Sequence, residues 1–439
     1  MLQFLGRDEA AMPALAAERC NGVLVIGPTR SGKTTSVLAP AVTHWDGPVI
    51  TTSIRDDVIA ETVAEREEGG WPILVYNPRL EGTYGSANWS PLVAAMGEKP
   101  WVGARRMAEV LVEAAGLADG GANRDQNFWN AAAANYLAPL LLAAAQLGSS
   151  MEPVMRWLHS AEAVEKDEKG RFTRNPVKDE IRELLRKQPA AAALRAAEGV
   201  WALYEETRDS IYLTARTVLA AYDDEDVMST CGDAGPGEQV DITPDTVLGT
   251  ASTSGATLYL VAPPTNRKYF APLFTALLTS LLEAAFNRTT GDTVMDPPLL
   301  LALDEVANIA PIKELPDYAS MAAGAGIQLI TVLQDLGQAE SIWRASGTRT
   351  LLTNHPARLI LGGTADIATL KWVQEMFGEM EVFRFSESWA KDGKSTSRTT
   401  ERRPMLTFDE IRRIPKGAAL LVYGRERAAL VTLKQGTTI

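Results

Sequence analysis

The stretch Gly27-Pro28-Thr29-Arg30-Ser31-Gly32-Lys33-Thr34 decides the fold of this chain. It matches the pattern G-x-x-x-x-G-K-[ST] at every required position. The apolar run before it predicts a buried strand that ends at Ile26, and the residues from Thr35 onward have a helical pattern. In such a strand–loop–helix unit, backbone N–H groups wrap a phosphate, and the helix N-terminus adds partial positive charge. The stretch therefore predicts a phosphate-binding loop (P-loop).

A second motif follows far along the chain. The apolar run 299–303 predicts a buried strand, and Asp304 and Glu305 come directly after it. In a P-loop protein, an acidic residue at this position binds the magnesium shell, which is the role we expect for Asp304. Glu305 is expected to orient and deprotonate an attacking water, which indicates hydrolysis. The alternative is an acidic turn after a core strand.

Together the two motifs predict an ATPase with ATP and Mg²⁺ as its cofactors. Lys33 is expected to reach the β- and γ-phosphates, and Thr34 to hold Mg²⁺ with Asp304. Gln334 follows the predicted strand 327–333, at a strand end that faces the ligand crevice in such sheets. It is either a sensor of the γ-phosphate or a loop residue without a special role. The predicted catalytic residues are Glu305, Lys33 and Gln334, and the predicted nucleotide-binding residues are Gly27, Pro28, Thr29, Arg30, Ser31, Gly32, Lys33, Thr34 and Thr35.

Short apolar runs predict buried parallel strands, because apolar residues on both faces indicate a sheet that helices cover on both sides. Helical patterns lie between them, so the fold class is α/β. With the two motifs, this predicts a RecA-like P-loop core with a mostly parallel sheet. The predicted strands are 22–26, 48–52, 73–76, 257–262, 299–303, 327–333, 357–362 and 418–423, and the clearest helices are 36–43, 273–286 and 367–377.

One block interrupts the alternation of strands and helices. Between residues 101 and 221 the patterns are almost only helical, and Phe128, Trp129, Ala132 and Tyr136 recur at helical steps on one apolar face. We therefore predict an all-α domain at 101–240, inserted between the two parts of the nucleotide-binding domain at 1–100 and 241–439. The polar stretch 386–403 has almost no apolar content and predicts a mobile surface loop.

The composition limits the function further. The formal net charge is -12, which argues against binding nucleic acid over the whole surface, although basic loops inside a ring would suffice for a channel. Cys20 and Cys231 lie far apart and give no metal or disulfide framework. No run of about 18 uninterrupted apolar residues occurs, so the chain as given is expected to be soluble and the stretch 128–147 to be a buried helix.

These features resemble the coupling proteins of type IV secretion and conjugation, the TraG/TraD family of hexameric DNA motors. The likeness spans about residues 20 to 425. The segment Asp304-Glu305-Val306-Ala307-Asn308-Ile309 is similar to the family's signature of Asp-Glu, an aromatic residue, Ala and Asn. Val332-Leu333-Gln334-Asp335-Leu336 resembles its glutamine motif, and Phe128-Trp129 with the alanine-rich helix resembles the start of its all-α domain.

The resemblance implies an ATP-driven protein that recruits DNA, with a relaxase or effector protein, and moves it into a secretion channel. It also implies a homo-oligomer, a hexamer when assembled, that contacts DNA phosphates without sequence specificity. The chain would be a cytoplasmic domain, and a membrane segment absent from it would anchor the full protein in the inner membrane. Two alternatives stay open, namely a nucleotide-dependent docking scaffold with little turnover and an FtsK-like DNA pump.

Three details affect the expected mechanism. The family often has an arginine where this chain has Ala323, so another residue would have to supply the positive charge that a neighbouring subunit gives to a ring ATPase site. The candidates for this missing charge are Arg344, Arg349 and Arg358, each with a surface ion pair as its alternative. The segment after the second strand, with Arg55 and Asp57, departs from the family's D-P-K-like motif. The candidate DNA contacts are Lys391, Lys394, Arg398, Arg402 and Arg403, with a solvated linker as the alternative.

Overall fold

The structure is a computed structural model. It describes residues 3–4, 15–16, 18–54, 56–79, 84–118, 124–148, 150–162, 165–166, 172–187, 190–232, 241–265, 267–289, 294–390 and 393–433. The strands, labelled in chain order, are β1 (Val23–Ile26), β2 (Val49–Ile54), β3 (Ile73–Tyr76), β4 (Thr257–Ala262), β5 (Leu299–Leu303), β6 (Ile327–Leu333), β7 (Ala357–Leu361), β8 (Glu379–Ala390), β9 (Gly393–Pro404), β10 (Ala418–Tyr423) and β11 (Ala429–Thr432). Two short ladders pair Gln3–Phe4 with Leu15–Ala16 and Glu165–Lys166 with Phe172–Arg174.

Helices lie between the strands along the chain, and a block of eight described α-helices comes between β3 and β4. The helices are α1 (Ala39–Thr43), α2 (Asp57–Glu68), α3 (Pro100–Ala118), α4 (Arg124–Ala144), α5 (Glu152–His159), α6 (Pro176–Arg186), α7 (Ala191–Trp201), α8 (Glu205–Val218), α9 (Glu225–Ser229), α10 (Pro244–Leu248), α11 (Arg267–Arg288), α12 (Val306–Ile309), α13 (Leu315–Met321), α14 (Leu336–Thr353), α15 (Ile367–Phe377) and α16 (Phe408–Arg412), of which α3 to α10 form the block. A π-helical turn, Thr34–Leu38, leads into α1.

Among the described residues, nine strands form one sheet in the order β11-β10-β7-β1-β6-β5-β2-β4-β3. The pairs from β7 to β3 are parallel, as predicted. The prediction for 418–423 was wrong in direction, because β10 runs antiparallel to β7 and β11 antiparallel to β10. Gly363 N–H donates to Arg412 O at 2.9 Å, so the chain re-enters the sheet at the edge where β7 ends and must run back along it.

Alternate residues of β1 face the two sides of the sheet, as the two-residue period of a strand requires. Val23 and Val25 pack in the buried cluster that contains Val37 of the π-helical turn. Leu24 and Ile26 belong to the opposite cluster, which α3, α4 and α11 also line. Helices therefore cover both faces of the central strands, which explains why these strands are apolar throughout.

The helical block packs closely on the core. Helix α3 contacts both α4 and α11, and the three helices share one buried cluster with the sheet. Arg106 of α3 donates to Glu283 of α11 at 2.7 Å and to Glu314, next to α13, at 3.3 Å. Apart from the short ladder between Glu165–Lys166 and Phe172–Arg174, the described elements of the block are helices, as predicted. The domain limits 1–100, 101–240 and 241–439 stay a prediction.

Helix α11 is the one described helix long and apolar enough to cross a membrane, judged by length and composition. Of its most apolar window, 72% is buried inside the molecule. Its packing against α3 and the sheet gives a structural reason for this composition, as expected for a core helix. The stretch 128–147 lies mostly in α4, which is buried over Ala133–Ala144 apart from one exposed position, Asn135.

The prediction of a mobile loop at 386–403 was wrong. Strands β8 and β9 pair antiparallel over their full length, from Glu379 with Pro404 to Ala390 with Gly393. The hairpin is a separate two-stranded sheet outside the core, and the stretch 386–403 lacks the apolar content that was the signal for a strand. Its threonine residues are β-branched and favour an extended strand. Lys391 lies outside the described residues.

Candidate nucleotide-binding site

Three segments that are distant in sequence meet at one edge of the sheet. Strand β6 pairs in parallel with β1 on one side and with β5 on the other. The carboxyl ends of these strands therefore lie side by side. The P-loop follows β1, Asp304 and Glu305 follow β5, and Gln334 follows β6. The sheet order thus brings together the catalytic and metal-binding residues predicted from the sequence.

The P-loop has a tightly fixed backbone. Gly27 N–H donates to Leu333 O at 3.1 Å, which joins the loop to the end of β6. A Cβ on Gly27 would lie 2.8 Å from Ser31 Oγ and 2.9 Å from Leu361 Cβ, so only glycine fits this close approach. Arg30 and Gly32 both have positive φ angles, 64° and 95°. A left-handed conformation in a non-glycine residue is uncommon, and here it curls the loop before the helical turn.

Lys33 lies beneath this loop and is buried. Its Nζ donates to the carbonyl oxygens of Gly27 and Pro28, both at 2.8 Å. Burial lowers the pKa of Lys33, while the carboxylates of Asp304 and Glu305 act in the opposite direction. Because its current acceptors belong to the P-loop itself, the ammonium group is already at the place where a phosphate bound by the loop would need a positive charge.

Thr34 and Asp304 form the contact between the two motifs. Thr34 Oγ1 donates to Asp304 Oδ2 at 2.9 Å, and the Asp304 main-chain carbonyl accepts from Thr52 Oγ1 at 2.7 Å. The other carboxylate oxygen, Oδ1, is buried and has no hydrogen-bond partner among the described residues. Burial raises the pKa of Asp304 to about 6, against the lowering effects of Thr34 and Lys33.

These groups fit a magnesium ion. A hydroxyl oxygen and a carboxylate oxygen are hard ligands of the kind that Mg²⁺ takes together with phosphate oxygens. The unpartnered oxygen of Asp304 would gain a partner, and a nearby divalent charge would offset the burial cost of its ionised form. Thr34 and Asp304 are therefore suited to hold Mg²⁺, directly or through its bound water.

Glu305 is held in one position by three neighbours. Its φ angle is 51°, a left-handed conformation, and it immediately precedes α12. Gln334 Nε2 donates to Glu305 Oε1 at 2.6 Å, and Asn308 Nδ2 donates to Oε2 at 2.7 Å. Arg267 Nη1 lies 3.6 Å from Oε2. A non-glycine residue in this region stores strain, and such residues cluster at functional sites.

The structure adds three residues that sequence reasoning did not place in the site: Thr52, Asn308 and Arg267. Asn308 belonged to the resemblance motif but had no assigned contact. Arg267 starts α11, far from Glu305 in sequence, and the sequence carried no signal for it. Thr29, Arg30 and Thr35 of the P-loop are exposed, so they lie at its solvent side. Arg55 lies outside the described residues, and Asp57 begins α2.

The three candidate arginines for the missing charge differ in their surroundings. Arg358 Nε and Nη2 both donate to Leu352 O, at 3.1 and 2.8 Å, and the side chain is half-buried, so it is engaged within its own chain. Arg349 is exposed on α14. Arg344 is also exposed, but its φ of 56° and ψ of 174° interrupt that helix with a kink. This backbone region is essentially restricted to glycine, which makes Arg344 a strained residue on the surface.

Comparison with known proteins agrees with this geometry. Residues 9–431 match the profile of the family described as type IV secretory system conjugative DNA transfer. The chain belongs to this family. Two conjugal transfer proteins named TraG from Escherichia coli are each 23% identical to it over 419 residues. The alignments cover 90% of this chain but only 61% and 62% of the relatives' length.

Solved protein structures also match this chain in fold. The plasmid coupling protein TrwB in complex with ADP and Mg²⁺ matches with a TM-score of 0.68 and 18% identity, over 96% of this chain and 87% of that chain. TrwB with a non-hydrolysable ATP analogue matches with a TM-score of 0.67 and 18% identity, over 96% and 88%. The family match confirms the resemblance to coupling proteins, and the structural likeness confirms the α/β, RecA-like fold.

Proposed function

We propose that this chain is the ATPase part of a coupling protein that moves DNA, with a relaxase or effector protein, into a type IV secretion channel. The observation that carries the proposal is the 2.9 Å contact between Thr34 and Asp304, which joins the P-loop to the acidic strand end in a member of the conjugative transfer family. TrwB, which has the same fold, binds ADP with Mg²⁺ and an ATP analogue. These complexes support ATP and Mg²⁺ as the ligands of this chain.

The proposed binding mode follows from the loop geometry. The P-loop backbone from Gly27 to Thr35 would cradle the phosphates, and Lys33 would exchange its two carbonyl acceptors for phosphate oxygens. Thr34 and Asp304 would hold Mg²⁺. When bound, Mg²⁺ would neutralise charge on the β- and γ-phosphate oxygens.

Glu305 is the group we propose as general base. One oxygen already accepts from Gln334 and the other from Asn308, so the carboxylate is oriented before any water arrives. Each carboxylate oxygen has a further lone pair that can accept a proton from a water. Gln334, adjacent to the loop through β1 and β6, would respond to the γ-phosphate and shift its contact with Glu305. Positioning of this kind is the main contribution a protein makes to phosphoryl transfer.

The proposed partner is DNA held in the centre of a ring of identical subunits, most simply a hexamer. The net charge of -12 requires DNA contacts to be confined to basic sites inside the ring. The hairpin is a weak candidate for them, because Arg402 pairs with Glu381 at 3.9 Å and Arg403 with Glu401 at 3.4 Å. We also propose that the chain acts at the cytoplasmic face of the inner membrane.

The test is ATP turnover with single-stranded DNA, double-stranded DNA or no DNA, at several salt concentrations. We expect DNA to raise turnover and the effect to fall steeply with salt, because phosphate contacts release counterions. Glu305→Gln serves as the control for background phosphatase. Turnover unchanged by either form of DNA at low salt would contradict the motor function and favour a docking scaffold.

A further inference from the structure

A cleft of about 920 Å³ opens beside the nucleotide-binding site. The start of α11 forms one wall, α12 and α14 form another, and the segment after β3 and the end of α3 close it. Except for the end of α3, each wall follows the carboxyl end of a strand: Arg79 comes after β3, α11 after β4, α12 after β5 and α14 after β6. The cleft therefore lies at the same edge of the sheet as Glu305. None of the P-loop residues lines it, which makes it a separate site from the phosphate cradle.

The lining is basic although the chain is acidic. Arg79, Arg267 and Lys268 line the cleft, and no carboxylate is among its described lining residues. Arg79 is held in place by Asp224, 3.3 Å away, while Lys268 is exposed. The 22-residue helix α11 begins at Arg267, so its dipole adds partial positive charge at the same wall. Arg79 and Arg267 are paired with Asp224 and Glu305, so Lys268 and the helix N-terminus supply most of the charge that favours an anionic ligand.

The shape and the aromatic lining favour a nucleic acid strand over a free phosphate. The volume is that of a site for a ligand much larger than one phosphate group. Tyr269 lines the cleft, with 38% of its surface exposed. Its hydroxyl donates to Ala220 O and its ring packs edge-on to Phe270, so its position is fixed. Basic grooves with an exposed aromatic ring bind single strands through phosphate contacts and base stacking.

Arg267 links this cleft to the predicted base. The residue lines the cleft and also lies 3.6 Å from Glu305 Oε2, the oxygen that accepts from Asn308. Asn308 and Gln338 line the cleft as well, and Gln338 Oε1 accepts from the backbone N–H of Gln334 at 3.0 Å. Of the two amides that hold Glu305, Asn308 therefore lines the cleft, and Gln334 contacts Gln338 of its wall.

We propose that the cleft binds the phosphodiester backbone of a single DNA strand and that Arg267 couples its occupancy to hydrolysis, an inference that rests on the proposed motor function. A bound phosphate competes with Glu305 for the guanidinium group. When Arg267 turns to the phosphate, Glu305 Oε2 loses the positive charge beside it, so its free lone pair becomes a stronger acceptor for a water proton. Arg267 is thus a positioning residue, which restrains Glu305 until a strand is present.

The experiment compares the whole chain with the variants Arg267→Gln, Arg267→Lys and Lys268→Gln. Lys187→Gln, which replaces an exposed lysine directly after α6 in the helical block, is the matched control for loss of one positive charge. A fluorescent mixed-sequence single-stranded oligonucleotide is the probe. Anisotropy measures its binding, and ATP turnover is measured with and without it. Tripolyphosphate at equal phosphate concentration tests whether a free anion suffices, and thermal unfolding with ADP checks that each variant is folded.

We expect Arg267→Gln and Lys268→Gln to bind the strand about tenfold more weakly, the size of one lost charge-assisted contact. Arg267→Gln should turn over ATP faster than the wild type without DNA, because it no longer restrains Glu305, and DNA should not stimulate it further. Arg267→Lys should recover part of the stimulation, because it keeps the charge, and Lys187→Gln should match the wild type.

Three outcomes would overturn the inference. If DNA stimulates Arg267→Gln as strongly as it stimulates the wild type, the coupling through Arg267 is excluded and the proposed motor function is not. Tripolyphosphate that stimulates as well as the strand would show a site for free polyphosphate. If no form of DNA stimulates the wild type, both the proposed motor function and the coupling are overturned. This result differs from the first outcome, in which the wild type is stimulated.

Discussion

Gln334 Nε2 lies 2.6 Å from Glu305 Oε1, and this hydrogen bond connects the ends of the neighbouring strands β6 and β5. Asn308 holds the second oxygen at 2.7 Å. The carboxylate is fixed by two amides that belong to different elements. Because Gln334 also follows Leu333, whose carbonyl accepts from Gly27 N–H, a change at the P-loop can reach Glu305 through two short contacts.

Replacing the predicted base separates binding from hydrolysis. Glu305→Gln keeps the size of the side chain but cannot accept a proton, so turnover should fall about 100-fold or more while ATP binding is kept. Lys33→Ala should instead lose nucleotide binding or turnover, because it removes the positive charge beneath the P-loop. Turnover and binding of a fluorescent ATP analogue check both. Glu305→Gln that hydrolyses ATP at the wild-type rate would show that the base is another group.

The two amides that hold Glu305 should act as a unit. Gln334→Ala and Asn308→Ala each remove one hydrogen bond to the carboxylate, and each should lower kcat about tenfold with little change in ADP affinity. The double variant should lose less than the product of the two effects, because the second loss acts on a carboxylate that is already free to rotate. Fully multiplicative effects on kcat would contradict a shared role in orienting Glu305.

Arg344 is the best candidate for the charge supplied to a neighbouring subunit. It is exposed and strained, whereas Arg358 is tied to Leu352 O. Arg344→Ala should lower the activity of assembled rings at least tenfold, since such charges contribute about 10³–10⁵ in rate in related enzymes. Arg349→Ala, an exposed arginine on the same helix, is the control.

The measurement for this prediction is specific activity against protein concentration, with assembly followed by sedimentation. Wild-type activity should rise as rings form. In Arg344→Ala it should stay flat although rings still form. A wild type whose activity does not change while it passes from monomer to ring would exclude any trans-acting residue, and equal losses in the Arg344 and Arg349 variants would exclude a special role for Arg344.

His355 should make the stability of the fold depend on pH. It is fully buried, its Nδ1 lies 2.7 Å from Leu351 O and its Nε2 lies 3.0 Å from Thr331 Oγ1, an arrangement that suits the neutral ring. Burial lowers the pKa of His355 to about 4 from 6.5, and Arg358 acts in the same direction. Its contribution to stability is therefore present above about pH 6.5 and is lost as the pH falls through 4.

The size of this effect is about 3 kcal/mol between pH 7.5 and pH 4, because one pKa unit corresponds to about 1.4 kcal/mol. Urea unfolding at a series of pH values measures it. His355→Gln has no proton to gain, so its unfolding free energy should show a smaller decline over this range, whatever its absolute stability. Parallel pH curves for the two proteins would contradict the assignment.

The sequence by itself determined the class of the fold. Every strand predicted from an apolar run is present in the structure. The signal was clear because burial on both faces of a parallel sheet requires apolar residues at successive positions. The P-loop and the Asp304-Glu305 pair were also visible, because the residue types and spacing that bind phosphate and magnesium are local.

Only the tertiary structure decided the rest. The contacts of Arg267 and Gln334 with the Glu305 carboxylate depend on the order of strands in the sheet, which no local pattern encodes. The antiparallel direction of β10 depends on where the chain re-enters the sheet, and the β8–β9 hairpin forms as a separate sheet outside the core. The local periodicity of a sequence indicates which side chains are buried, whereas long-range backbone pairing determines which residues come into contact.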